Sequence, residues 1–193
     1  MNFFEAKKHI LNRLKNDLPL YLSYHGYHHT LDVYEMTIEI AKEEGVKQGE
    51  DLTLLKTAAL FHDSGFLNVY KGHETEGCTI ARESLPLFDY TEDQIEIVCG
   101  MIRATQIPQN PQNLLEQILA DADLDYLGRD DFYPISNSLF RELQSIDAIQ
   151  DENTWNKLQV SFISAHKYFT QTNIKRRTAQ KEKRLSELRK LIK

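Results

Sequence analysis

The sequence has few cysteines and lacks glycine-rich loops and long apolar runs, and each lack excludes something. Cys78 and Cys99 alone are too few for a disulfide framework in 193 residues, so a reducing, cytoplasmic setting is expected. The longest strictly apolar run, Ala58-Ala59-Leu60-Phe61, falls far short of the roughly 20 residues that a membrane helix needs, and no membrane partner is expected. Met1–Lys8 mixes acidic and basic residues without an apolar stretch, so no secretory leader is expected. No glycine-rich phosphate loop is present, and no stretch sustains the two-residue alternation of a half-buried strand. Internal repeats, low-complexity segments and dividing linkers are also missing.

The composition that remains is ordinary for a globular chain. At 41% hydrophobic and 27% charged residues it is too apolar to be disordered. The net charge of −6 hides an asymmetry, because residues 174–193 hold nine Lys/Arg against Glu182 and Glu187. The rest of the chain is correspondingly acidic, which argues against a dedicated nucleic-acid binder. The basic tail reads first as a solvated helix face, with a phosphate or RNA contact as the alternative.

Helical periodicity runs through the chain. Phe3, Ile10, Leu14 and Leu18 form one stripe, closed by Pro19, and Leu31, Tyr34, Ile38 and Ala41 form a second that Gly45 ends. Leu52, Leu55, Ala59 and His62 share the face of a third helix, and a fourth runs from about Glu74 to the residue before Pro86. Thr91 and Gln94 have capping-box spacing ahead of Ile95, Val98 and Ile102, and Asn113 with Glu116 repeats the signal before Ile118 and Leu119. Trp155, Leu158, Phe162 and Phe169 mark another long helix, and Leu185, Leu188 and Ile192 mark a last one. Ile107–Gln112 reads as a loop. The expectation is one all-α domain over residues 1–193, a bundle of about eight or nine helices. Its motif core covers about 24–128, and further helices follow over about 130–193.

The chemistry-bearing residues fall in three places. His25, His28 and His29 lie within five positions. His25 and His29 share a face if the segment is helical, but Gly26 weakens a helix there, and the turn before it is the alternative place for His25. His62-Asp63 follows the apolar Ala58–Phe61 and precedes Ser64-Gly65, which projects two polar groups inward from a helix end. Burying such a pair is costly without a partner, and a metal ion is one good partner. The third place is Asp121-Ala122-Asp123-Leu124-Asp125, where at least one aspartate must face inward. Imidazoles and carboxylates together suit a divalent ion (Mn, Fe, Co, Ni, Mg or Zn) with water at its open positions, rather than a closed cysteine-rich site. Such an ion acidifies water and polarises a phosphoryl oxygen, and a protonated histidine such as His25 can deliver a proton to the leaving oxygen.

This ordered set, His29, His62-Asp63 and Asp123, resembles the H…HD…D pattern of the HD superfamily of metal-dependent phosphohydrolases. Tyr24-His25-Gly26-Tyr27-His28-His29-Thr30-Leu31-Asp32-Val33 is also similar to the start of the cyclic-nucleotide phosphodiesterase core, Y-H-N-x-x-H-A-x-D-V, departing from it at Gly26 and Thr30. The resemblance implies a helical core, His29, His62, Asp63 and Asp123 as metal ligands with Asp121 as the fallback, and His25 as proton donor. Asp63 is given a second role in orienting the attacking water. Two-metal relatives place further histidines after the HD pair. Here only His73 and His166 follow, so one divalent ion is expected. His73, Arg103 and Arg129 are the candidate phosphate contacts. The implied activity is hydrolysis of a phosphate ester of a small molecule, with a nucleotide as the expected class. A catalytically silent metal- or nucleotide-binding regulatory domain is the alternative.

Overall fold

The most apolar helix of the chain is also its most enclosed. The structure, a computed structural model, describes residues 1–192. It contains nine α-helices and no strand among the described residues. They are α1 (Phe3–Asp17), α2 (Tyr27–Glu43), α3 (Glu50–Phe61), α4 (His73–Ser84), α5 (Glu92–Ala104), α6 (Leu114–Asp123), α7 (Phe132–Ser145), α8 (Glu152–Ala165) and α9 (Gln171–Arg189). In α3 Leu52, Leu54, Leu55 and everything from Thr57 to Phe61 are buried, as expected of a helix that is apolar all round. Helices α1, α2, α5 and α6 pack about it, and α4 packs on α5. The cap signals hold. Thr91 and Gln94 form a reciprocal capping box at α5, and the Asn113 side chain accepts from the Glu116 N–H at α6.

The core comes in two parts. One apolar cluster joins α1 to α6 through residues such as Ile10, Val33, Leu55, Phe61, Ile102 and Ile118. A second joins Tyr24, Leu124, Leu127, Phe132, Ile163 and Leu185, and so belongs mainly to the three C-terminal helices. Helix α6 ends between the two clusters. Its last turn anchors α9 as well: both oxygens of buried Asp121 accept hydrogen bonds from the chain entering that helix, from the N–H of Phe169 and the N–H and hydroxyl of Thr170 at 2.6–2.9 Å. Burial pushes the Asp121 carboxyl up to about 6 despite these three donors.

Two details differ from the sequence reading. Helix α7 is not among the stripes singled out above, although Phe132, Ile135, Leu139 and Leu143 stand at helical spacing along it. The stripe expected to run through Phe169 stops at Ala165, because His166 is extended (φ −68°, ψ 138°) and releases Phe169 to Asp121. No described helix is long and apolar enough to cross a membrane.

Between α3 and α4 the chain makes a tight turn, Ser64–Leu67, which lies directly against the start of α4. A methyl group on Gly65 would collide with the His73 carbonyl, backbone that cannot step aside alone. Gly65→Ala is expected to destabilise the protein by about 2–3 kcal/mol. At this chain length that corresponds to a fall in Tm of roughly 5–10 °C, read by thermal unfolding.

Candidate metal centre and its pocket

His62 follows the last turn of α3, where helix carbonyls lack partners. Its Nδ1 lies 2.8 Å from the Ala59 carbonyl oxygen and donates to it, which turns Nε2 inward. On the facing helix α2, His29 presents its own Nε2 3.4 Å away. Asp63 Oδ2 lies 3.3 Å from His62 Nε2 and 3.5 Å from His29 Nε2, and Asp123 Oδ1, at the end of α6, lies 3.6 and 3.1 Å from the same two atoms. Residues far apart in the chain thus bring four donor atoms to one point. His29, His62 and Asp123 form a group whose donor atoms all lie within 4.8 Å of one another.

These spacings fit a common ion. Ligand atoms at about 2.1 Å from one cation stand roughly 3.0 Å apart at octahedral cis angles and roughly 3.4 Å apart at tetrahedral ones. Asp63 Oδ2 is buried and, although both imidazoles are near, has no hydrogen bond of good geometry. A buried carboxylate oxygen left that way demands positive charge. The local electrostatics agree. Burial pushes the Asp63 carboxyl up, but the His62, His25 and His29 imidazoles outweigh it and hold the group well below the carboxylate range. Burial likewise pushes Asp123 up, and its bonds to His29 and His62 bring it down to about 2. His62 shows the reverse balance: desolvation lowers it, yet Asp63 and Asp123 raise it well above an ordinary imidazole.

A second set of groups frames the mouth of the site. Helix α2 begins at Tyr27, so His25 sits in the turn before it. Glu142, fully buried in α7, accepts from the Tyr24 and His25 N–H groups at 2.8 and 3.0 Å through Oε2. Through Oε1 it accepts from His25 Nδ1 at 2.5 Å and from the Tyr70 hydroxyl at 3.1 Å. Nδ1 is thereby committed, and Nε2 is the nitrogen left for the pocket that His25 lines. Burial lowers the His25 pKa, but the Glu142 bond and the charges of Asp63, Glu142 and Asp123 raise it overall. Phe66 is stacked between His25 and His73, with ring centroids 4.2 and 4.0 Å away. His73 Nε2 stands 3.5 Å from Asp63 Oδ1, the oxygen not turned to the two imidazoles, and 3.5 Å from Glu74 Oε1.

The structure therefore brings together His25, His29, His62, Asp63, His73 and Asp123. It does not bring Arg103 or Arg129 to the pocket. Arg103 is exposed on α5 and reaches toward the Cys78 sulfur at 3.9 Å. Arg129 faces outward beside α2, held by Asp32 at 2.9 Å and Asp131 at 2.6 Å, and so already has carboxylate partners in place of a phosphate. Asp121, the fallback ligand, is used in anchoring α9. His28 lies with Asp32 and Arg129 in a second groove, which Tyr24 and His29 also line. Sequence reasoning does not single out Glu142 or Phe66. For Glu142 a signal exists: it stands on the same face of α7 as the apolar Leu139 and beside Leu143, a position where an unpaired carboxylate would be expensive.

A family model for the HD domain matches residues 26–125, just over half of the chain. Among solved structures, a crystal structure described as a predicted HD superfamily hydrolase from an uncultured Thermotogales bacterium is similar over 95% of this chain and 87% of that one. The TM-score is 0.61 and the sequences are 23% identical, so the likeness is one of fold. No curated protein sequence matches this chain.

Removal of His62 or Asp63 should abolish ion binding without unfolding the helical frame. His62→Ala and Asp63→Ala chains loaded with Mn²⁺, Co²⁺ or Zn²⁺ and desalted are expected to retain less than about a tenth of the wild-type metal by elemental analysis, since even the partners of metal ligands are commonly worth 10–100-fold in affinity. Their helical circular dichroism should stay close to that of the wild type.

Proposed function

This chain belongs to the HD-domain family, and from that premise we propose that it is a metal-dependent phosphohydrolase acting on a phosphate ester of a small molecule. The observation that carries the reading is the convergence of His29 Nε2, His62 Nε2, Asp63 Oδ2 and Asp123 Oδ1 beside a pocket that His25 also lines. A divalent ion held by these residues supplies a Lewis acid that acidifies water and neutralises charge developing on a phosphoryl oxygen.

The protein's own residues do the rest. Asp63 Oδ1 faces His73 and the pocket and can accept a hydrogen bond from the attacking water, fixing its approach. His25 holds its proton on Nε2 and delivers it to the ester oxygen as the bond to phosphorus breaks. Glu142 keeps the ring in one tautomer and orientation, and its charge favours the protonated form that a proton donor requires. Phe66 spaces His25 from His73 so that the two imidazoles flank the same opening. One ion suffices for this scheme. The nucleotide class favoured by the sequence rests on the likeness of Tyr24–Val33 and belongs in the substrate panel as one arm. A cytoplasmic setting goes with this reading.

Rates on p-nitrophenyl phosphate and on alkyl phosphates, measured after metal stripping and reloading with Mn²⁺, Co²⁺, Mg²⁺, Ni²⁺ or Zn²⁺, provide the test. Wild type should turn over and the His62→Ala and Asp63→Ala chains should not; equal rates in all three would leave a metal-binding domain without this activity. The His25→Ala chain should lose about 10²–10³-fold on alkyl esters, whose alkoxide leaving groups need a proton, and far less on p-nitrophenyl phosphate, whose phenolate does not.

A pH profile separates the role of Glu142 from simple packing. The active form carries a proton on His25, so the rate falls as pH rises through the His25 pKa. Glu142→Gln removes a negative charge that raises this pKa, and the alkaline limb of the profile is expected to move to lower pH. An unmoved limb with a uniformly lowered rate would assign Glu142 to structure alone.

A further inference from the structure

Beyond the charged mouth the pocket changes character. It continues between α7 and α8, walled by Leu127, Phe132, Leu139, Trp155, Phe162 and Ile163, and the mouth and this apolar part together enclose about 220 Å³. Close-packed interiors leave few voids larger than a water molecule. The whole space, mouth included, exceeds the roughly 150 Å³ of an apolar cavity that accommodates benzene. Two contacts join the helices beside it: Trp155 stacks on Phe140 with centroids 5.7 Å apart, and the Ser136 hydroxyl donates to Gln159 Oε1 at 2.5 Å.

The polar inventory is short. Every charged or titratable lining residue except Tyr126 belongs to the mouth: Tyr24, His25, Asp63, His73, Glu74 and Asp123. Behind the mouth the polar side chains are Thr105, Tyr126, Ser136, Gln159 and the indole of Trp155; Ser136 and Gln159 are bonded to each other, with Gln159 Nε2 donating on to Asn156 at 3.3 Å. No Lys or Arg lines any part of the cavity. A second or third phosphate would therefore find no cationic side chain, and a sugar or nucleobase edge would bury polar groups without partners. Each such group costs about five- to 150-fold in binding. A methylene buried there gains about fourfold.

Resting on the phosphohydrolase reading, we infer that the substrate is a phosphate ester with a single phosphoryl group whose organic part is apolar, an alkyl, alkenyl or aryl group seated between α7 and α8. The mouth takes the phosphoryl group and the C-terminal helices select the rest. Water adds to phosphorus, the phosphorus–oxygen bond to the organic group breaks, and an apolar alcohol and inorganic phosphate leave.

The metal-loaded chain is tested with methyl, butyl, hexyl and octyl phosphate, phenethyl phosphate, glycerol phosphate, AMP and dTMP. Trp155 is the sole tryptophan, so its fluorescence reports cavity occupancy independently of turnover. The expected result is kcat/KM rising about fourfold per methylene until the cavity is full, mainly through KM, with glycerol phosphate and both nucleotides at least tenfold poorer than hexyl phosphate. Hexanol alone should change the Trp155 emission. Leu139→Trp, which fills the cavity, should erase the chain-length dependence, and the wild-type series decides the matter if that variant does not fold. Rates flat across the alkyl series, or highest for AMP or dTMP, overturn the inference while leaving the phosphohydrolase reading intact. Absence of hydrolysis throughout defeats that reading instead, and the order of alkyl phosphate binding by fluorescence then upholds or overturns the apolar pocket by itself.

Discussion

Two carboxylates buried beside two imidazoles, with little water to share the charge, set the terms for the rest of the molecule. Taking an isolated carboxylate out of water costs more than the whole net stability of a domain, so a fold that buries Asp63 and turns Asp123 inward must supply positive charge at the same point. The shifts record that demand from both sides. Asp63 and Asp123 are held low by the imidazoles, and His62 is held high by the carboxylates. The demand explains why α3 is apolar through its final turn. Only a helix with nothing else to solvate can end at the centre of the bundle and deliver His62-Asp63 there, and the Ala59 carbonyl freed by that ending fixes which nitrogen of His62 faces inward.

The same constraint on charge organises the end of α6. Asp121, Asp123 and Asp125 are consecutive alternates, and all three are turned inward to different partners. Asp121 accepts from Phe169 and Thr170, Asp123 faces His29 and His62, and Asp125 accepts from Arg177 and Asn173. A continuous helix would put Asp121 and Asp125 on one face. The α-helix instead ends at Asp123, and the tighter turn over Asp125–Gly128 carries Asp125 round toward α9. Gly128 allows that approach, because a Cβ there would stand 2.5 Å from the Arg177 carbonyl oxygen. One short acidic stretch therefore contributes to the metal centre and also anchors the last helix against it.

These causes decide what is legible in the sequence. The helices of the first core can be read because their apolar stripes and caps are local signals, as at Thr91–Gln94 and Asn113–Glu116. The candidate metal centre is suggested by the sequence because an apolar run that ends in His-Asp buries two polar groups at once, and such burial calls for a partner as strong as a cation. Helix α7 has its own stripe in Phe132, Ile135, Leu139 and Leu143, and what stays hidden is the work of its polar residues. Pro134 falls in its first turn, where a missing N–H costs nothing, while Ser136 and Glu142 interrupt its apolar face for reasons that lie on other helices. The surroundings of the arginines are not legible, because a guanidinium looks the same whether its carboxylate partner is already in the protein or a phosphate is still to arrive. Arg129 finds Asp32 nearly one hundred residues away, and no spacing rule reports such a pairing.

On the proposed reading the two cores also divide the functional labour. The matched family region, residues 26–125, contains His29, His62, Asp63 and Asp123, with His25 directly before it, and coincides with most of the first cluster. The deep walls of the pocket come from residues after that region: Leu127, Phe132, Leu139, Trp155, Phe162 and Ile163. Family membership therefore speaks to the chemistry at the mouth and says nothing about what lies behind it. Glu142 ties the two together. It belongs to the specificity side, on α7, yet it orients His25 on the chemical side through three hydrogen bonds to Tyr24 and His25. A ligand that spread α7 from α8 would act on the helix carrying Glu142. On the proposed reading, occupancy of the apolar cavity would be connected through α7 to the orientation of His25, and an organic group that fits the cavity poorly would disturb the step that releases it.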